Sequence, residues 1–153
     1  MEGMNTVSDL TIRLMFHRDL RDVLAIERRK PGLAWKRADF RPVFHAHDTD
    51  GWVAEMEGRI VGHLVFRCGP DGVTLLNLAV APYWRRQGIA RAMLAKLGEK
   101  PAPLIRATVP ESNLPAQLLL RDAGYKAVRV CRGHFDGEDG YLMERRADDN
   151  VLD

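Results

Sequence analysis

The clearest hydrophobic pattern in the chain is an apolar run from Leu75 to Val80, which only Asn77 interrupts. A run of this length predicts a buried strand, and the Ala81-Pro82 step ends it. Apolar residues then recur at helical spacing from 89 to 97. The pattern therefore predicts a strand, a short loop and a helix that opens at residues 85–90.

Weaker periodicities fill in the rest of the chain. In the first half of the chain they predict a strand over Thr11–Phe16, a helix after Asp19, a weaker helix from Trp35 to His47 that Pro42 interrupts, and hairpin strands Gly51–Glu57 and Arg59–Arg67. In the second half they predict a strand over Leu104–Val109, a helix between Asn113 and Gly124, and terminal strands Lys126–Cys131 and Tyr141–Glu144 around a loop at 132–140. This order predicts one α/β or α+β domain with a mixed sheet. We expect the domain to span residues 9–146, with flexible termini at 1–8 and 147–153.

Composition narrows the class of protein without identifying it. The 153 residues are 46% hydrophobic, enough for one domain to bury a core, and the net charge of +2 is too balanced for general nucleic-acid binding. Cys68 and Cys131 stand apart from each other and from any metal-type Cys/His spacing, which fits a reducing compartment. The chain has no signal-peptide core and no apolar run of membrane length. We therefore expect a cytoplasmic protein that binds no metal, nucleic acid or membrane.

The loop between the strand and the helix combines positive charge with small residues. Arg85, Arg86 and Arg91 surround Gly88 and Ala90, whose side chains are too small to keep a diphosphate away from the backbone. Free N–H groups in the first turn of a helix, together with the helix dipole, favour bound phosphate. Neither G-x-G-x-x-G nor a P-loop is present in the sequence. The loop is either a pocket for a phosphorylated cofactor or a solvated, arginine-rich helix start.

The motif around Gly88 and two motifs that follow it along the chain resemble those of the GCN5-related N-acetyltransferases. Arg85-x-x-Gly88-x-Ala90 after a strand is similar to the family's R/Q-x-x-G-x-G/A acetyl-CoA motif. Within the family the chain looks most like the RimI type, the ribosomal-protein-alanine N-acetyltransferases, whose N-I/L-A-V-x-P, S/T-N-x-x-A and L-G-F/Y motifs match residues 77–82, 112–116 and 123–125. The resemblance covers Thr11 to Glu144. It implies the family's fold, a central, mostly antiparallel sheet flanked by helices.

The resemblance also implies a ligand, acetyl-CoA, and a set of residues that hold it. Backbone N–H groups of Ala79 and Val80 would face the thioester, one of them contacting the oxyanion, while the pantetheine arm pairs with the strand edge. Asn113 would contact the cofactor in addition to its independently expected role as a helix N-cap. The expected cofactor-binding residues are Leu78, Ala79, Val80, Arg85, Arg86, Gln87, Gly88, Ile89, Ala90, Arg91 and Asn113.

The sequence departs from the RimI type at the positions of the catalytic acid and base. The family's glutamate base corresponds to Thr108 here, and its tyrosine acid corresponds to Leu120. A threonine hydroxyl is a poor base near neutrality, and leucine cannot donate a proton. Glu111 and His134 are candidate substitutes, although each also fits an ordinary solvated loop residue. His63 lies on a strand and faces either the core or the cleft.

An enzyme without its base would favour an acceptor that is already partly neutral. A peptide α-amine with a pKa of about 8 is roughly one-tenth neutral at pH 7, whereas a lysine amine is neutral in only roughly four molecules in 10⁴. The sequence therefore predicts direct acetyl transfer to a protein N-terminus, such as that of a ribosomal protein. Acetylation of a small amine, such as a polyamine or an aminoglycoside, and a non-catalytic acyl-CoA sensor or scaffold are the alternatives. The acidic segment Asp136–Gly140 is either a lid that attracts a cationic N-terminus or a solvated turn.

Overall fold

The computed structural model describes residues 9–30 and 32–147, so the expected flexible termini lie outside the described residues except for Ala147. Within this part of the chain, strands and helices follow each other in the order that the sequence predicts. The strands are β1 (Thr11–Leu14), β2 (Thr49–Met56), β3 (Arg59–Gly69), β4 (Gly72–Val80), β5 (Leu104–Pro110), β6 (Lys126–Phe135) and β7 (Glu138–Arg146). The α-helices are α1 (Leu20–Arg28), α2 (Arg41–His45), α3 (Ile89–Leu97) and α4 (Leu114–Asp122). No helix among the described residues is long and apolar enough to cross a membrane.

All seven of these strands form one sheet, which is mixed and mostly antiparallel as expected. The strand order is β1-β2-β3-β4-β5-β7-β6, and only β4 and β5 run parallel in the described sheet. The β4–β5 register extends over two residue pairs and ends at Thr74 opposite Arg106. A bulge then leaves Leu76 as an extra residue on β4 opposite β3. From Leu75 to Val80, β4 is therefore paired with β3 and diverges from β5.

Helices on both faces of the sheet divide the core in two. On one face, α3 and α4 cover a cluster that includes Phe66, Met93 and Tyr125. On the other face, α1 and α2 cover a smaller cluster that includes Val23 and Phe40. We call this second side the α1 face. The sheet therefore separates two layers of helices, and the divergence of β4 from β5 lies between them.

Two element boundaries differ from the sequence prediction. Pro42 lies in the first turn of α2 rather than interrupting a helix, because a missing N–H costs nothing at that position. The segment predicted as a loop at 132–140 is mostly strand, and β6 and β7 pair along it. Asp136 and Gly137, with φ of 37° and 93°, form the two-residue turn between these strands. The protein therefore ends in a long β-hairpin instead of a long loop.

Candidate active site

The divergence of β4 from β5 leaves a strand edge open beside the predicted cofactor motif. Ala81 donates its N–H to the Val61 carbonyl of β3 at 2.8 Å. Because the hydrogen-bonding direction alternates along a strand, the N–H of Ala79 also points to β3, whereas the N–H groups of Leu78 and Val80 point to the open edge. From the sequence we expected the backbone N–H groups of Ala79 and Val80 to face the thioester. The alternating direction of the N–H groups instead leaves those of Leu78 and Val80 at the open edge. An open edge of this kind can pair with an amide-rich ligand as it would with another strand.

The loop after β4 leads into a helix N-terminus that no side chain of the described residues caps. Gly88 is the N-cap of α3, and its φ of 83° lies in the left-handed region that favours glycine. Ala92 bonds back to the Gly88 carbonyl at 2.9 Å. Helix geometry leaves the N–H groups of residues 89–91, namely Ile89, Ala90 and Arg91, without intrahelical acceptors. This helix start has the geometry of an anion-binding site.

Two polar side chains of the motif shape the turn. Arg85 donates from Nε to the Val80 carbonyl at 3.0 Å and from Nη2 to the Arg29 carbonyl at 3.5 Å. Its guanidinium group therefore connects the end of β4 to the end of α1. Gln87 donates from Nε2 to the Tyr83 carbonyl at 3.1 Å. Both side chains stabilise the loop that leads to α3.

The other charged residues of the motif lie at the surface. Arg86 is exposed and has a φ of 64°, and exposed Arg91 lies 3.7 Å from Asp122. Asn113 is the N-cap of α4, as predicted, because its Oδ1 accepts the N–H of Ala116 at 3.2 Å. Arg86 and Arg91 thus bring positive charge to the start of α3, while the side-chain oxygen of Asn113 is used by its own helix.

The positions that hold the acid and base in the RimI type lie in apolar surroundings. Leu120 is 3% exposed and packs in the core beneath α4. Thr108 lies on the α1 face of β5, opposite Leu142 of β7. A Cβ placed on Gly140 would come within 3.0 Å of the Thr108 methyl group and 2.6 Å of the Phe135 ring. Thr108 therefore borders an apolar wall that Leu142 and Phe135 build.

The candidate substitutes are held by the terminal hairpin rather than by β4. Glu111 is exposed in the turn after β5, and its N–H donates to the Asp139 carbonyl at 3.0 Å. His134 is exposed on β6, with its ring centroid 4.7 Å from that of Phe135. The geometry therefore gives neither residue a contact with the open edge that would identify it as the base.

The acidic segment is part of the same hairpin. Glu138 accepts the N–H of Ser112 at 2.7 Å, and Asp139 accepts the N–H of Gly133 at 2.8 Å. These bonds fasten the hairpin to the start of α4 and close its own bulge. The segment is thus a paired turn and strand, with two of its carboxylates engaged by backbone donors.

A buried polar network that sequence reasoning missed lies beneath the open stretch of β4. The Oε2 atom of Glu27 accepts from His63 Nε2 at 2.6 Å and from Asn77 Nδ2 at 3.0 Å. Its Oε1 atom accepts from the Trp35 N–H at 2.7 Å and from Lys30 Nζ at 3.4 Å. Lys30 Nζ also donates to Asn77 Oδ1 at 2.6 Å. We call these five residues the Glu27 network.

Electrostatics fix the protonation of the network. Burial alone raises the pKa of Glu27, but the hydrogen bond from His63, the charge of Lys30 and the Trp35 N–H together lower it to about 2. Burial lowers the pKa of His63 by more than the contact with Glu27 raises it. At pH 7 a carboxylate therefore accepts the Nε2 proton of a neutral imidazole. The Nδ1 atom of His63 is buried and has no hydrogen-bond partner in the part of the chain that the structure describes.

The sequence contains a signal for Glu27, the residue at the centre of this network. Leu20, Val23 and Glu27 follow at helical spacing, so Glu27 occupies the buried stripe of α1. A carboxylate on such a stripe indicates a buried partner. His63 is that partner, and its side chain is fully buried, which places it in the core rather than in the cleft.

Comparison with known proteins shows which protein family has a sequence pattern that matches this chain. The family model of the acetyltransferase (GNAT) domain matches residues 47–127. The [ribosomal protein bS18]-alanine N-acetyltransferase of Escherichia coli (strain K12) is 26% identical over 141 residues, which are 90% of this chain and 91% of that protein. The crystal structure of the Escherichia coli ribosomal-protein-S18-alanine N-acetyltransferase has a TM-score of 0.79 at 24% identity, covering 90% of this chain and 93% of that one.

Two further solved structures share the fold at lower identity. Arabidopsis thaliana NAA60 in complex with acetyl-CoA has a TM-score of 0.77 at 20% identity and covers 91% of this chain and 99% of its own. A chimera of the spermidine N-acetyltransferase SpeG from Vibrio cholerae and hSSAT has a TM-score of 0.81 at 15% identity and covers 95% and 99%. At these identities the likeness shows the fold, and the acceptor must be argued from this chain's own residues.

Proposed function

The chain belongs to the GNAT acetyltransferases, and we propose that it transfers an acetyl group from acetyl-CoA to the α-amine at a protein N-terminus. The observation that carries the proposal is the open edge of β4 beside the uncapped start of α3. An amide-rich arm can add to such an edge, and a diphosphate can accept the free N–H groups at 89–91. Acetyl-CoA contains both parts, and when bound it supplies an acetyl thioester that an amine can attack.

The backbone of β4 has a direct part in this chemistry. The N–H groups of Leu78 and Val80 point to the open edge, where they can donate to the thioester oxygen as negative charge develops on it. Donors fixed by a strand need no reorganisation during the reaction, which is why such contacts are often the largest catalytic contribution. Thr108 and Leu120 supply no base or acid, so the acceptor nitrogen must arrive neutral.

The charge on the α1 face of β5, β7 and β6 also bears on the acceptor. On the α1 face, Arg106, Glu144 and Lys126 form a row across β5, β7 and β6, and Arg129 follows on β6. Arg146 lies 3.1 Å from Glu144 and offsets its charge. We call the surface of Arg106, Lys126 and Arg129 the acceptor floor. Its positive charge disfavours a polyamine and suits a peptide that carries one α-amine.

The proposal predicts a preference that can be measured at pH 7. Release of free thiol from acetyl-CoA should be roughly 10²-fold faster with an Ala- or Ser-initiated peptide than with the same peptide N-terminally blocked and carrying one lysine, in proportion to the neutral fraction of each amine. Mass spectrometry of the product should place the acetyl group on the terminal nitrogen.

Each alternative gives a different result in the same assay. Equal turnover of the blocked lysine peptide would contradict the argument from the missing base. Turnover of spermidine but of neither peptide would assign a small-amine acceptor. Saturable acetyl-CoA binding without turnover of any amine would indicate the sensor.

A further inference from the structure

Within the described residues, the stretch of β4 that faces the proposed thioester has a strand neighbour on one side only, β3. Its pairing with β5 ends at Thr74, and the bulge at Leu76 interrupts its register with β3. A strand held on one edge and bulged in the middle has more freedom than one paired on both edges. Oxyanion donors must nevertheless stay within a fraction of an ångström of their position, because a misplacement of about 1 Å can cost 10²-fold in rate.

The Glu27 network supports this stretch from the α1 face. Asn77 directly follows the bulge, and its amide group bonds to both Glu27 and Lys30. His63 is the register partner of Ala79 on β3 and bonds to the same carboxylate. Glu27 is therefore connected to β4 just before Leu78 and, through β3, just after it.

Stability alone does not account for a carboxylate in this place. Glu27 is fully buried, and a well-packed apolar side chain of similar volume would often be as stabilising as a buried ion pair. Glu27 nevertheless accepts four hydrogen bonds, two from the segment after α1, at Lys30 and Trp35, one from β3 and one from β4. A buried carboxylate whose two oxygens are both hydrogen-bonded fixes one arrangement of these elements more strictly than apolar contacts do.

The geometry points to Glu27 as a positioning residue for acetyl transfer, which through Asn77 and His63 holds the Leu78 and Val80 N–H groups in place. The inference rests on the proposed use of this edge by acetyl-CoA. Glu27 reaches the reacting atoms only through other residues. Its loss should therefore reduce kcat by more than it raises the KM for acetyl-CoA, since the phosphates are proposed to bind at α3, away from this stretch of β4.

Glu27→Gln tests the inference, and Asp19→Asn is the matched control. Asp19 is 3% exposed at the start of α1, where it accepts from Arg13 at 2.8 and 3.0 Å and from the Phe16 N–H at 2.7 Å. Both substitutions exchange a buried, fully bonded carboxylate for an amide, and both should lower the free energy of unfolding. Only Glu27→Gln should lower kcat, by about 10- to 100-fold. Equal effects on kcat per folded molecule would overturn the inference.

Hydrogen exchange gives a readout that needs no acceptor. The amides at 75–80 should exchange faster in Glu27→Gln than in Asp19→Asn, so a wrong acceptor assignment would not affect this result. If Glu27→Gln does not fold, Lys30→Met can replace it, because Lys30 is partly exposed and its loss removes only the bonds to Asn77 and Glu27. Faster exchange and a lower kcat in Lys30→Met, both restored by Lys30→Arg, would support the inference. An unchanged kcat and unchanged exchange in Lys30→Met would overturn it.

Discussion

Burial and a single carboxylate together set the ionisation of the groups in the Glu27 network. The charge of Glu27 is balanced by Lys30, whose side chain is 23% exposed and therefore keeps part of its hydration. His63 does not need to be charged, because its Nε2–H already bonds to Glu27 and burial disfavours the imidazolium form. The interior therefore holds one anion, one partly solvated cation and a neutral ring.

The neutral ring of His63 should make stability depend on pH between about 7 and 5. Its pKa is lowered in the folded protein, so below the ordinary value of 6.5 the unfolded chain binds a proton that the folded chain does not. The free energy of unfolding should therefore fall as the pH decreases through this range, by up to about 1.4 kcal/mol per pH unit. Chemical denaturation at several pH values should show this slope in the wild type and a flatter one in His63→Gln.

The exposed residue His134 offers a control for this measurement. His134→Gln removes a histidine without changing the buried network, so its slope should match that of the wild type. Equal slopes in the wild type and both variants would contradict a buried, neutral His63.

Residues with local roles were predictable from the sequence, whereas residues with long-range partners were not. The Asn113 cap depends on a contact three residues away, and the sequence predicts it correctly. Glu27 depends on partners that lie 36 and 50 residues away, at His63 and Asn77. Helical periodicity can show that Glu27 is buried, but it cannot show which donors meet it.

At the scale of elements, the two helices on the larger core begin in opposite ways. The start of α4 is closed by the side chain of Asn113. The start of α3 is preceded by Gly88, which has no side chain that could cap the helix. The N–H groups of residues 89–91 therefore have no acceptor within the helix. This difference is the one expected between a helix with a purely structural role and a helix that binds phosphate, as we propose for α3.

Gly88→Val should weaken acetyl-CoA binding by about tenfold or more, which corresponds to about 1.4 kcal/mol. The new side chain would crowd the free N–H groups, and the φ of 83° would strain the turn. Titration calorimetry with acetyl-CoA measures the effect. Gly32→Val is the matched control, because Gly32 has a φ of 84° with no atom within 4 Å of an added Cβ. Equal affinities in the two variants would remove the phosphate site from α3.

The elements that sequence patterns predicted least well are those without a buried face. β6 is exposed along most of its length, so it lacks the buried positions that mark β2 and β4. Its second half was consequently predicted as a loop. The Asp136-Gly137 step was the local signal for the hairpin turn, since both residues adopt positive φ.

At the scale of the whole molecule, the order of the strands and the divergence of β4 from β5 cannot be predicted from hydrophobic periodicity. The hydrophobic pattern predicts which segments are strands, but it does not predict that β4 and β5, with α3 between them in sequence, are parallel neighbours. It also does not predict that the pairing of these two strands ends at Thr74. The family resemblance supplied the fold class, which the sheet and the comparisons confirm. Net charge has the same limitation, because a value of +2 for the chain does not show that cations gather on the acceptor floor.

The acceptor floor predicts a charge preference that depends on where the positive charges lie on the molecular surface. A peptide with acidic residues after its first position should have a higher kcat/KM than one with basic residues, and added salt should reduce the difference. Because an exposed ion pair contributes about 0.2–1 kcal/mol, Arg129→Glu should shift the ratio by about 1.4- to 5-fold toward the basic peptide. Arg21→Glu makes the same charge change on the exposed side of α1 and should leave the ratio nearly constant. If both variants shift the ratio equally, net charge and not the position of Arg129 determines the preference, and the acceptor does not pass over β6.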